Sequence, residues 1–194
     1  MNILKPQKIQ VEKLQKVDNL DYELRENDEE LEYRLLENIK LNNEEIYDAK
    51  IGKSKFQNVE ILDGKLENNT FIDVIFDNCN FSNSSFENSA FIRCEFNNCK
   101  LIGCNFAETR IYNVTFNETN ANYINFSMAS IENVSFDRTA LRNSNFQENK
   151  LKNIDFQDNT DLTQAQIFKT SLKNIDLSKA TIEGIAISQE DIKG

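Results

Sequence analysis

From Phe71 to Phe156 every fifth residue is apolar without a slip, eighteen positions in all, and most of them hold Phe. The same frame runs backwards through Leu66, Ile61, Phe56, Ile51, Ile46, Leu41 and Leu36. Two residues before each of these sits a small or β-branched residue, among them Val74, Cys79, Ser84, Ser89, Cys94, Cys99, Cys104 and Thr109. Asn69 and Asn149 are the exceptions. The remaining positions are mostly Asn, Ser, Asp, Glu and Lys, so the unit reads small–polar–bulky–polar–polar.

A period of five fits neither of the common elements. Helical apolar residues recur at three and four, and strand residues alternate at two. Residues i−2 and i can share the inner face of a short extended piece if the chain then turns a corner. Four such pieces close a square coil of about twenty residues, and coils stack through backbone hydrogen bonds at about 4.8 Å. Each coil then buries its inner residues only against its neighbours.

The period of twenty checks this independently. Phe56, Phe76, Phe96, Phe116, Phe136 and Phe156 fall on one wall, and Leu66, Phe86, Phe106, Phe126 and Phe146 on the wall opposite. The other two walls carry Phe81, Leu101, Ala121, Leu141 and Phe91, Ile111, Ile131, Leu151. Large rings thus face each other, with mainly smaller apolar groups between them.

This pattern resembles the pentapeptide repeat family, whose motif is Ala/Cys/Ser/Thr/Val, Asn/Asp, Leu/Phe and two variable residues. The resemblance covers about residues 36 to 187. The tail from Phe168 through Leu172, Leu177 and Ile182 to Ile185 also looks like single-domain bacterial members. It implies an all-β fold, a right-handed quadrilateral β-helix of seven to eight coils. We expect an acidic N-terminal helical cap over residues 1–35, the β-helix over 36–188 and a tail over 189–194.

The cap expectation comes from residues 18–33, which are acidic and place Leu20, Leu24 and Leu31 at near-helical spacing behind a candidate N-cap, Asp18 or Asn19. A solenoid end needs such a cover because it exposes unpaired strand edges. A partner-binding arm is the alternative role. Between Phe156 and Leu162 the frame gains one residue, expected to bulge at a corner. Ser188 to Asp191 has the spacing of a capping box.

Composition limits the chemistry. The chain has 194 residues, no His, one Pro and five Gly. Without His, nucleophile–His catalysis is excluded. No phosphate-cradling glycine loop is present, and a packed coil offers no cleft for paired carboxylates. We expect no enzyme and no cofactor. The four cysteines all occupy the small inward slot and read as buried, reduced fillers. Cys79 and Cys99 lie one coil apart, close enough for a bond. Zinc is disfavoured, since these slots do not converge. No stretch approaches the roughly 18 apolar residues of a membrane span, and the N-terminus lacks the apolar core of a secretory signal. A cytoplasmic protein is expected.

Charge sorts by wall. The wall of the six-Phe ladder shows Asp77, Glu95, Glu118, Asp137, Asp155 and Asp158 against Arg138. The wall of Phe91 and Ile111 shows Arg93, Arg110, Lys150 and Lys152 against Asp73 and Glu132, with Ile72, Ile92 and Tyr112 as an outward apolar stripe. Two non-catalytic readings follow. In one, the acidic wall imitates duplex DNA; resemblance to the quinolone-resistance (Qnr-like) members implies DNA gyrase or topoisomerase IV as partner. Those members often carry projecting loops and a C-terminal dimerisation helix, and this chain shows neither clearly. In the other, a scaffolding protein binds a partner through the apolar stripe, unless the N-terminal segment packs there. With a net charge of −10, direct nucleic-acid binding is disfavoured. The expected state is a monomer or an end-to-end dimer.

Overall fold

In a computed structural model, which describes residues 3–6, 9–188 and 191, the chain winds as a square coil of parallel, stacked turns. Register advances by twenty: Phe76 pairs with Phe96, Phe96 with Phe116, Phe116 with Phe136 and Phe136 with Phe156. We name the four walls after their inward residues Phe71, Phe76, Phe81 and Phe86. The first two are true strands that merge across their shared corner in the longest segments, Arg110–Asn117, Ser130–Asp137 and Lys150–Phe156. The Phe81 and Phe86 walls pair by single bridges along the middle of the coil, with short strand pairs only towards the ends, Lys40–Asn42 with Glu60–Leu62 and Gln166–Ile167 with Ala186–Ile187. On these walls the small-slot N–H closes a tight turn, as Ser84 does to the Phe81 carbonyl at 3.0 Å.

The corners explain the abundance of Asn. Two residues after each inward bulky residue the backbone is left-handed, at φ near 55°, in register from Tyr33 to Asn174, with Asn159 one place late after Phe156. Few side chains tolerate that region, and Asn is among the best after Gly. Asn is the commonest corner residue, at Asn38, Asn58, Asn78, Asn98 and others. Several corner and wall amides bond upwards, as in Asn58 Nδ2 to Asn38 Oδ1 at 2.9 Å and Asn78 Nδ2 to Asn58 at 2.7 Å.

The bore is filled by rings. Along the Phe76 wall consecutive centroids lie 4.6 to 5.3 Å apart from Phe76 to Phe156, with planes within about ten degrees of parallel. The Phe86 ladder runs opposite at 4.9, 5.6 and 5.1 Å. Every Phe of both ladders is buried. In the first coils an internal space of about 10 Å³ lies among Leu20, Phe56, Phe76 and Phe86, at the lower limit for a single water.

The small slot does more than fill space. Ser84 Oγ donates to the Ile61 carbonyl at 2.9 Å, Cys104 Sγ to Phe81 at 2.8 Å and Thr139 Oγ1 to Phe116 at 2.9 Å. Each bond reaches 23 positions back, from one coil to the coil before it. The cysteines are therefore weak donors between coils as well as fillers; all four are free and buried. Burial pushes the Cys94 thiol up to about 12.

The coil makes about nine turns, more than the repeat frame alone predicts. Strand pairing begins ahead of Leu36: Gln15–Val17 pairs with the Arg34–Glu37 strand and Glu30–Glu32 with Lys50–Gly52. Backbone pairing needs no pentapeptide side-chain pattern, so these extended pieces join the ladder without it. In this first turn the helix Leu20–Glu26 stands in for two of the four sides. The Asn19 side chain caps it by accepting from Tyr22 N at 2.9 Å. Leu20 and Leu24 are buried, and Leu20 closes the bore above Ile46, Ile51 and Phe56.

The extra residue after Phe156 sits at a corner, where Asp158 and Asn159 are exposed and Thr160 returns to the small slot, bonding the Phe136 carbonyl at 2.8 Å. At the far end Ser188 N–H and Oγ both bond Asp191 Oδ2, at 3.1 and 2.6 Å, one half of the expected box. Asp191 Oδ1 accepts the Thr170 N–H at 2.9 Å and so ties off the last coil. The rest of the 189–194 tail lies outside the described residues.

Candidate functional site

Two walls carry the candidate residues. On the Phe76 wall the expected acidic group is assembled on one face but is not a bare stripe. Lys55, which flanks Phe56, belongs to this wall and pairs with Asp77 at 3.2 Å. Arg138 stands between Glu118 and Asp137, at 2.9 Å from each. Glu95 and Asp155 accept from neighbouring amides, Asn97 at 3.4 Å and Gln157 at 3.2 Å. Asp158 projects from the bulged corner. Thus six carboxylates share five coils with Arg138, and Lys55 reaches in from the coil before them. Over about 24 Å a DNA duplex would carry about 14 charges.

On the Phe71 wall one outward column reads Glu32, Gly52, Ile72, Ile92, Tyr112, Glu132 and Lys152 from coil to coil. Ile72 and Ile92 are half-buried and Tyr112 is 37% exposed. A surface cleft of about 380 Å³ opens beside them, lined by Ile92, Arg110, Ile111, Tyr112, Ser130 and Glu132. A second, of about 440 Å³, lies where Gly52 leaves a notch between Glu32 and Ile72.

The corner beside this column is closed. Asp73 is 1% exposed and held by Arg93 through two bonds, 2.7 and 2.8 Å. That contact raises the Arg93 pKa. Asn113 is also buried, and its Oδ1 accepts from Leu4 N at 3.3 Å. Lower down, Lys13 lies over the Tyr33 ring at 5.4 Å and Gln15 N bonds the Tyr33 carbonyl at 2.8 Å. The N-terminal segment is therefore a strap anchored to this corner column at two places, Leu4 at Asn113 and Lys13 to Gln15 at Tyr33. Its position depends on contacts over a hundred residues away, which no local pattern announces.

The cations of this wall divide into two kinds. Arg93, Lys50 and Lys152 each have a carboxylate, the last two being Glu30 at 3.2 Å and Glu132 at 2.6 Å. The bond to Glu132 raises the Lys152 pKa. Arg110 and Lys150, in the other outward column, are exposed, and no carboxylate of the described residues lies within 4 Å of either.

Among the described residues no group of three or more metal-ligating side chains converges, and no helix is long and apolar enough to cross a membrane.

Comparison with known proteins agrees with the coil. A family model described as "pentapeptide repeat region" matches residues 89–167, and one for "pentapeptide repeats (8 copies)" matches residues 70–106. A search of curated proteins returned no match. Among solved structures, the chain is similar to HetL, a pentapeptide repeat protein involved in heterocyst differentiation regulation in the cyanobacterium Nostoc sp. strain PCC 7120. That match has 13% identity over 87% of this chain and 92% of the other, with a TM-score of 0.47. It is also similar to QnrB1, a plasmid-mediated fluoroquinolone resistance protein, with 17% identity over 80% and 94% and a TM-score of 0.28. Rfr23 of the cyanobacterium Cyanothece 51142 gives 19% identity over 72% and 94%, with a TM-score of 0.28.

Proposed function

The chain belongs to the pentapeptide repeat family, and from that premise we propose that it is a non-catalytic protein-interaction module that works through the Phe71 wall. The observation that carries this reading is the Tyr112 cleft. A half-exposed aromatic ring and a half-buried Ile92 flank an open groove on an otherwise polar, rigid rod. Apolar groups left at a groove with a charged rim mark contact sites. Rigidity adds to this, since a surface already in its bound shape spends no ordering entropy on binding. A filled bore and the absence of His support a module without catalysis. Four buried free thiols suit the reducing conditions of the cytoplasm.

The test is partner capture with the full chain. The triple variant Ile72→Ser, Ile92→Ser, Tyr112→Ser should keep the wild-type far-ultraviolet dichroism and lose the partner that the wild type retains. Equal capture by both proteins would remove the stripe from the mechanism.

The second reading is the acidic Phe76 wall as a DNA mimic for gyrase or topoisomerase IV. Glu95, Asp155 and Asp158, which have no cation within 4 Å among the described residues, support it. The interleaved Lys55 and Arg138 and the low charge density make it the weaker of the two. Reversal of Asp77, Glu95 and Glu118 to Lys should then abolish topoisomerase binding at low salt; unchanged affinity would end this reading.

A further inference from the structure

We infer that the Tyr112 cleft takes an extended acidic segment of a protein partner, seating one large apolar side chain between Ile92 and Tyr112 and a carboxylate on Arg110. The inference rests on the interaction reading of the Phe71 wall and adds the chemistry of what binds there.

Charge is the first argument. The neighbouring cations are matched: Arg93 with Asp73 at the corner, Lys152 with Glu132 in the apolar column, and Lys50 with Glu30 at the far end of the column of Arg110. Arg110 and Lys150 are not, and they stand in one column, in register through Ser130. On a chain of net charge −10, an unmatched positive pair beside an apolar groove is the local exception. Complementary charge at a groove rim selects the partner's sign.

Spacing is the second. Two coils separate Arg110 from Lys150, about 9.6 Å along the rod. A polyproline-II-like extended chain advances about 3.1 Å per residue and repeats its facing every three residues, so residues i and i+3 share one face about 9.3 Å apart. A segment lying along the axis therefore presents carboxylates at positions i and i+3 to the two cations. The apolar residue preceding the first carboxylate then falls at the cleft, which is lined by Arg110 itself together with Ile92 and Tyr112. The N-terminal segment bounds the groove at the Asn113 corner, where Leu4 N bonds Asn113 Oδ1.

The experiment is fluorescence polarisation of the full-length chain with a labelled peptide containing Phe, then Glu, then a second Glu three residues on. Saturable binding that weakens with salt is expected. Arg110→Glu and Tyr112→Ser should each weaken it by about tenfold or more, as should Gln in place of both Glu, or Ala in place of Phe. No saturable binding, or undiminished binding by Arg110→Glu, would overturn the inference. So would full competition by a short DNA duplex, which would make the column a general polyanion site.

A photo-crosslinker at Ile92, used in an extract of the producing cells, separates this from the broader reading. A crosslinked segment with acidic residues flanking an apolar one supports the inference. A neutral or basic crosslinked segment overturns it and leaves the interaction module standing. No protein crosslinked from this wall defeats both.

Discussion

Leu4 donates its backbone N–H to the side-chain oxygen of Asn113, 3.3 Å away and 109 positions later in the chain. The amide nitrogen of Asn113 has no partner although the residue is buried, so one bond holds this end of the strap where two were available. Asn113 is also a corner residue with φ 56°. Asn113→Gly removes the amide while keeping that backbone conformation comfortable. The loss of about 1 kcal/mol predicts about fivefold faster hydrogen exchange at Leu4, measured by mass spectrometry, with no change in the coil. An unchanged rate would mean that the strap is held by something else.

Phe116 lies in the middle of the stacked ladder, 4.9 Å from Phe96 and 5.0 Å from Phe136. Phe116→Ala should cost about 3–5 kcal/mol and lower the denaturation midpoint sharply. Its neighbour Asn117 faces outward and donates to Asn97 Oδ1 at 2.7 Å, so Asn117→Ala should cost about 1 kcal/mol. Comparable losses from the two would contradict the inward and outward assignment.

Met128 occupies a left-handed corner, at φ 58°, and is 53% exposed. A long side chain gains nothing there that Asn would not, and the corner favours Asn. Met128→Asn should stabilise the coil by about 0.5–1 kcal/mol, read as a rise in the thermal midpoint. A fall would show that the Met side chain packs usefully on the surface.

The thiols should be silent in the native protein. Burial raises Cys94 and Cys104, and Cys99 is raised by its hydrogen bond with Cys79 and by burial; the same bond lowers Cys79, whose silence rests on its burial alone. Since the thiolate is the reactive form, iodoacetamide at pH 8 should label none of the four in the folded chain and all four after denaturation. Labelling of Cys94 or Cys104 without denaturant would show that the coil opens locally.

At the last coil, hydrogen bonds from Ser188 and then from the Thr170 backbone hold the Asp191 carboxyl below its ordinary value of 3.8. A folded value lower than the unfolded one contributes stability above about pH 4, lost as pH falls through the folded value. Wild type should thus be more stable than Asp191→Asn at pH 7, and the difference should shrink below about pH 4. A gap independent of pH would assign the effect to geometry and not to charge.

Much of this was legible in the sequence because packing in a square coil is strictly periodic. The inward Phe ladders, the small slot, the wall of each charge and the capping role near Asn19 all follow from counting by five and twenty. What escaped counting has a physical reason in each case. Lys55 pairs with Asp77 from the neighbouring coil, so the net charge of this wall depends on a side chain reaching across coils and not on the composition of one coil. Gln15–Val17 and Glu30–Glu32 join the sheet through backbone groups, which carry no residue code. The hydrogen bonds from Cys104 and Thr139 depend on side-chain direction inside the bore. The left-handed corners require φ, although the recurrence of Asn two positions after each bulky residue is their visible trace.

The corner at residues 157–161 shows how such a rod tolerates change in length. One surplus residue is absorbed there as an outward blister, and Leu162 re-enters the bore on the wall it would have occupied anyway. A surplus of five would be equally comfortable for the interior yet would turn everything downstream by a quarter revolution, scattering the exposed columns among new neighbours. A duplication of twenty would lengthen the molecule by one storey and leave every façade aligned. Length changes in related chains should therefore favour single residues and multiples of twenty wherever a surface must survive, and multiples of five only where it need not.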